Sequence, residues 1–221
     1  MPTSAPPGLN VERSCWEAGA ATVVGIDEVG RGAWAGPVTV AALVVSSERR
    51  INKVRDSKML TITQRERLYD RIAAWTPAFA IGHASPEECD GLGMTEALRL
   101  AGERALDGLA AAGFAPDRIL LDGHFDYLGR GEQVQTIVKG DATSLGIAAA
   151  SVMAKVTRDR MMAEEAECYP GFGFERNVGY PAPHHQAALA AYGPTAIHRR
   201  SWIFMDNLPW FRCGPAQRSL F

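Results

Sequence analysis

The sequence predicts an α/β fold, a mixed sheet flanked by helices, and two observations carry that prediction. Two valine-rich segments, ATVVGID (21–27) and PVTVAALVV (37–45), are separated by glycines and read as the strands of a hairpin. Beyond them, helical spacings and short apolar runs alternate along the chain, the pattern of a sheet with helices on its faces. At 221 residues there is room for one buried core and a small appendage, not for two full domains. The expected organisation is a flexible leader over 1–20, an α/β domain over 21–168 and an extension over 169–221 packed on it.

Each element has its own signal. In TITQRERLYDRIAAW (61–75), Thr63 and Glu66 have capping-box spacing, and Leu68, Ile72 and Trp75 recur at helical intervals. AFAIGHAS (78–85) reads as a short strand, and Ser85, Pro86 and Glu88 mark the next helix start. TEALRLAGERALDGLAAAG is a helix that stops at Gly113, RILLDGHF (118–125) a buried strand, and EQVQTIVK (132–139) a further strand. From Ser144 the alanine-rich SLGIAAASVMAKVTRDRMMAEEAE reads as one long helix. The tail is rich in Pro, Gly, His and aromatics, with a short helix around HHQAALAAY.

Composition removes several function classes. An apolar fraction of 47% with 22% charged residues is that of a globular chain, not a disordered one. Runs such as VTVAALVV fall far short of the roughly 18 residues of a membrane span, so no membrane association is expected. MPTSAPPGLNVERS has prolines where an export signal needs a basic start and an apolar block, so the expected location is cytoplasmic. Cys15, Cys89, Cys168 and Cys213 form no C-x-x-C pair, which argues for reduced thiols over a zinc site or a disulfide framework. With a net charge of −2 there is no global positive field, so any nucleic-acid site must be local. Basic spots at 49–58, 155–160 and 198–200 are candidates for it, or simply solvated surface.

The acids stand out by position. Asp27 closes the first strand, Asp122 closes RILLD, and Asp141 lies between a strand and the long helix. Strand ends are where open α/β sheets place their sites. Singly, each Asp would serve a turn or a helix N-terminus; together they suggest converging carboxylates for a hard cation such as magnesium or manganese. Adjacent strand residues point to opposite faces, so Glu28 belongs at the rim of such a site rather than beside Asp27.

GIDEVGRGAWAGPV, DSKML, LLDGHF, KGDATSLGIAAASVMAKVTRDRMM, NVGYPAPH and YGPTAIHRRSW, in this order over about residues 23–202, closely resemble bacterial ribonuclease HII, the type 2 ribonuclease H. The resemblance implies a ribonuclease H-like fold, with a five-stranded mixed sheet and a small helical C-terminal part. It implies an endonuclease that cuts the RNA strand of RNA/DNA hybrids and cuts 5' to single ribonucleotides embedded in duplex DNA. Asp27, Glu28, Asp122 and Asp141 then map to the acids that hold two divalent ions, Mg2+ or Mn2+. Gly30, Arg31 and Gly32 map to the loop that meets the ribose, Tyr180 to the tyrosine that reads it, and Lys58 to a phosphate-side lysine. Bare glycine backbone can offer both a donor and an acceptor to a 2'-hydroxyl. A monomer acting on RNA/DNA hybrids and ribonucleotide-containing duplex DNA is expected.

Other classes compete. Actin-like and sugar-kinase ATPases share this fold and begin with an acid and glycines, but 221 residues leave no room for their duplicated architecture. A catalytically silent nucleic-acid-binding module is expected to lack an acid, and all four are present. Ribonuclease HIII usually carries a substrate-binding domain before the first strand, where this chain has about 20 residues.

Overall fold

The computed structural model describes residues 6–49, 51–52, 54 and 60–208; Lys58 lies outside them. β1 (Val23–Val29) and β2 (Val38–Val44) form the predicted antiparallel hairpin, with Asp27 opposite Ala41. β3 (Phe79–Ala84) pairs antiparallel with β2. On the other side of β1, β4 (Arg118–Asp122) and β5 (Val134–Ile137) add in parallel, giving the order β3-β2-β1-β4-β5. The mixed five-stranded sheet is the one the sequence predicts.

Helices cover both faces. α3 (Pro86–Leu92) and α4 (Met94–Ala111) bury one side, where Val38, Val40, Ala42 and Val44 point; α2 (Ile62–Trp75) and α5 (Leu145–Cys168) bury the other, where Ala41, Leu43 and Val45 point. Because both faces of β2 are covered, it is buried at every position, and its sequence is apolar but for Thr39 rather than alternating. α5 lies against β1 at two glycines: a Cβ on Gly25 would stand 2.4 Å from the carbonyl carbon of Gly146. That close approach seats the next turns of α5, which carry Ser151 and Lys155, over the end of β1.

Two local readings are corrected. The leader is not loose throughout: Asn10–Glu17 form a helix, α1, with Glu12 and Cys15 buried. Its prolines all precede the helix, and Glu12 Oε1 accepts from Ser144 Oγ (2.6 Å) and from the Gly146 N–H (2.8 Å). A carboxylate thus caps the N-terminus of α5, where unpaired amides and the helix dipole favour negative charge. The capping box of α2 uses Thr61 and Gln64, not Thr63 and Glu66. Both pairs have the required spacing, and the helix starts one residue after Thr61.

The C-terminal part adds α6 (Phe174–Asn177), α7 (Pro183–Tyr192) and a 3-10 turn at Ile203–Asn207. Its core joins Phe172, Phe174, Leu189 and Phe204 to Met162 of α5 and Ala35 of the β1–β2 connection, with Trp34 stacked on Phe204 at 4.2 Å. Among the described residues no helix is long and apolar enough to cross a membrane.

Candidate active site

Since β1 and β4 are parallel neighbours with Ile26 paired to Leu121, their C-terminal ends lie side by side and deliver Asp27 and Asp122 together. Asp27, Glu28 and Asp122 line one cavity of about 400 Å³ with Ser151, Lys155 and Tyr180. Asp27 is 7% exposed, and its Oδ1 accepts the Glu28 N–H at 2.8 Å. Burial raises the Asp27 carboxyl well above its usual range; the charges of Glu28 and then Asp122 push it further up, against a hydrogen bond from Ser151.

Glu28 sits at the rim. It also lines a second cavity of about 170 Å³ on the α4 side, together with Asp122, Arg31 and Tyr127. Burial raises the Tyr127 hydroxyl well above its ordinary range, and Glu28, which it faces, raises it further. Arg31 is largely exposed, 3.8 Å from Glu28 Oε1. Asp141 lies on the 3-10 turn Gly140–Ala142 and lines neither cavity, but its turn is tied to the site because the Gly140 N–H donates to Asp122 Oδ1 at 2.7 Å. Three of the four acids therefore open into one space and the fourth flanks it. Among the described residues no three His, Cys, Asp or Glu side chains form a closed cation-binding group. The donors are all carboxylate oxygens crowded by mutual repulsion, a set that fits a hard divalent cation and no soft one.

The segment after β1 is held from behind by two buried arginines. Arg199 donates to the carbonyls of Gly30 (2.7 Å), Arg31 (3.0 Å) and Gly36 (3.2 Å). Arg158, on α5, donates to those of Pro37 (2.8 Å), Val178 (2.8 Å) and Ala35 (2.9 Å). Burial lowers Arg158 to about 10, so it remains charged at neutral pH. Gly30 has φ +89, and a Cβ there would stand 2.4 Å from Arg158 Nε, so only glycine fits. The Gly30 N–H donates to the Tyr180 hydroxyl at 3.2 Å, and the Arg158 guanidinium lies 5.6 Å from the centre of the Tyr180 ring. The Gly30 and Arg31 carbonyls each accept from Arg199, whereas the Arg31 and Gly32 N–H groups have no intramolecular acceptor among the described residues.

These observations join a ribonuclease H-like sheet, acids at its strand ends and a tyrosine against a glycine loop, in the order of the resembling motifs. The family model for ribonuclease HII matches residues 24–205. The chain belongs to the ribonuclease HII family. The ribonuclease HII of Streptomyces avermitilis is 51% identical over 208 residues, covering 94% of this chain and 88% of that one. Among solved structures, the ribonuclease H2 of Pyrococcus horikoshii is 28% identical with a TM-score of 0.70, covering 87% of this chain and 100% of that one. Bst-RNase HIII in complex with Mn2+, at 22% identity and a TM-score of 0.60 over 81% of this chain and 65% of that one, shares the fold. As a member of the ribonuclease HII family the chain is a nuclease, a hydrolase of phosphodiester bonds.

Tyr180 owes its place in this ribonuclease HII chain to a buried relay absent from the sequence reading. The Thr195 N–H donates to His198 Nδ1 at 2.9 Å, so that nitrogen carries no proton. His198 Nε2 then donates to His185 Nε2 at 2.9 Å, and His185 Nδ1 donates to the Tyr180 carbonyl at 2.8 Å. This is the one arrangement of two neutral rings that satisfies all three bonds. Burial, helped by His185 and Arg200, lowers His198 to about 3. Just upstream, Val178 has φ +44, costly for a β-branched residue; Arg158 on its carbonyl holds it there.

Arg158, Arg199 and the histidine relay are what sequence reasoning missed. TRDR and HRR read as basic surface spots, because no spacing marks an arginine whose acceptors are carbonyls of distant segments. Lys155 lines the first cavity, its ammonium lowered by burial, and pairs with Asp159 one turn further along α5.

Proposed function

We propose that this chain cuts the RNA strand of RNA/DNA hybrids and cuts 5' to single ribonucleotides embedded in duplex DNA, leaving a 3'-hydroxyl and a 5'-phosphate. In the cell this would serve ribonucleotide removal from DNA, by a cytoplasmic monomer. The reading rests on one observation: the cavity that holds Asp27, Glu28 and Asp122 also holds Tyr180.

In this reading Asp27, Glu28, Asp122 and, from the adjoining turn, Asp141 hold two divalent ions, Mg2+ or Mn2+. Bound there, such ions supply Lewis acidity toward the phosphodiester and its attacking water. The protein's own groups orient the strand. The unpaired Arg31 and Gly32 amides face a ribose 2'-hydroxyl, the Tyr180 ring packs against that sugar, and Arg31 and Lys58 meet neighbouring phosphates. Tyr180 and the glycine loop are tied together, because the Tyr180 hydroxyl accepts from Gly30 and Arg158 of α5 donates to Val178 and Pro37 in the adjoining segments.

The test is a DNA duplex holding one ribonucleotide, incubated with Mg2+ or Mn2+ and mapped for its cut. A single cut 5' to the ribonucleotide is expected, and cleavage of an all-DNA duplex at a similar rate would overturn the reading. Melting of the free protein gives a second readout: Mg2+ or Mn2+ should raise the midpoint of wild type and not of Asp122→Asn.

A further inference from the structure

We infer that Phe125 is a second aromatic contact for the substrate strand, packing its ring against the sugar of a nucleotide on the opposite side of the cut from Tyr180. The inference rests on the nuclease reading above and extends its binding surface.

Phe125 is 57% exposed, three residues beyond Asp122. A single exposed ring is ordinary on a protein surface, and what sets Phe125 apart is its place on a cavity wall beside the acids. It lines the second cavity, which shares Glu28 and Asp122 with the first, where Tyr180 stands. The shared acids thus lie between Tyr180 in one cavity and Phe125 in the other, where the neighbouring ring, Tyr127, is buried. Phosphates repel an acidic surface, so contacts beside it must be cationic or neutral. Arg31, 63% exposed on the wall of the same cavity, is a cationic one, and Phe125 is an exposed neutral one.

The ring is exposed without being loose. Before it, the Gly123 N–H donates to the Ile137 carbonyl at 3.0 Å. After it, the Asp126 carboxylate accepts from Leu128 and Gly129 (3.0 Å each) and Gly131 (3.2 Å). Tyr127 and Leu128 are 5% and 4% exposed and belong to the core beneath α4. A loop pinned on both sides of an exposed ring has already met the ordering cost that a flexible contact pays on binding. In a duplex the base faces are stacked on one another, so the apolar surface a strand offers from outside is its sugar edge. That fixes the partner as a sugar and not a base.

The experiment compares wild type with Phe125→Ala, Phe125→Leu and Phe125→Tyr on the one-ribonucleotide duplex, and on duplexes shortened one nucleotide at a time from either end. Phe125→Ala should raise KM about tenfold, about 1.4 kcal/mol at 25 °C, with a smaller effect on kcat. Phe125→Leu should be intermediate and Phe125→Tyr close to wild type. The KM penalty should vanish when shortening from one end removes the contacted nucleotide. That end should be opposite to the one at which the Tyr180→Ala penalty vanishes. An unchanged KM for Phe125→Ala, or a penalty equal on every length, would overturn the inference and leave the nuclease reading standing. Failure of wild type to cut any ribonucleotide-containing duplex would overturn both.

Discussion

The acid end of the site and its tyrosine end share the β1 loop and are built on opposite principles. Asp27, Glu28 and Asp122 are delivered by strand register alone, and they bring three carboxyl groups to one cavity whose lysine, Lys155, is already paired with Asp159. Gly30, Arg31 and Tyr180 are held by side chains from remote segments, Arg158 and Arg199, each donating to three carbonyls. The first region is electrostatically unfinished and the second is finished before any ligand arrives. The glycine and tyrosine end is therefore held by hydrogen bonds within the chain, while the acid end brings like charges together in the free protein.

The largest effects should come from the unfinished end. Asp27→Asn and Asp122→Asn should each cut turnover by more than about a hundredfold, above the 10- to 100-fold that follows loss of a group supporting a metal ligand. Because burial, Glu28 and Asp122 all disfavour an ionised Asp27 carboxyl, Asp27→Asn should melt above wild type in EDTA at a pH where that carboxyl is charged, by about 2–4 °C for each 1 kcal/mol relieved. A lower melting point would mean the carboxylate stabilises the free fold, and the contrast would fail.

At the finished end the signs reverse. Arg158→Met orphans three carbonyls, and at about 1 kcal/mol or more for each it should lower stability by roughly 3 kcal/mol and the melting point by about 6 °C or more. Denaturant titration with and without Mn2+ separates the regions: the variant should lose stability yet keep its metal-induced rise. Loss of that rise would show that the two ends are one cooperative unit.

A smaller effect is expected from acid. His198 is lowered from 6.5 to about 3, so between these values the unfolded chain binds a proton that the folded one does not. Its contribution is complete above pH 6.5 and falls as pH drops toward 3, by about 1.4 kcal/mol per pH unit. His198→Gln should flatten urea-midpoint profiles between pH 6.5 and 5 by about that slope, leaving the share due to His83 and His185, which burial also lowers. Identical profiles would remove the relay from the account. Smallest is Tyr180→Phe, which deletes the bond from the Gly30 amide and should cost about 0.5–1.5 kcal/mol, while keeping more activity on an embedded ribonucleotide than Tyr180→Ala. Should Tyr180→Phe be as inactive as Tyr180→Ala, the hydroxyl and not the ring would carry the discrimination.

The same division governs what could be read in advance. Strand alternation and strand ends are local, so the five strands, the convergence of Asp27 with Asp122 and the rim position of Glu28 were legible from valine patterns and the positions of acids. Ser144 was legible as the start of the long helix, and its hydroxyl does cap α5 at the Ile147 amide. Arg158 and Arg199 were not, because most of their acceptors are carbonyls more than a hundred residues away, and a buried arginine has the same letters around it as an exposed one. The histidine relay failed to show for a related reason: His185 and His198 are spaced by 13 residues and meet only after α7 and the following loop have folded. The resemblance to ribonuclease HII supplied Tyr180, and the physical reason it is held in place came only from the structure.

Glu12 and its partner Gly146 are separated by 134 residues. A ribosome therefore has to release most of the chain before the first helix it made has anything to cap. All five strands of the sheet lie between the two, so the contact of α1 with α5 can form only after every strand has been made. Through Ser144 and Gly146, Glu12 bears on the start of the same helix that carries Ser151 and Lys155, even though no residue of α1 lines the cavity.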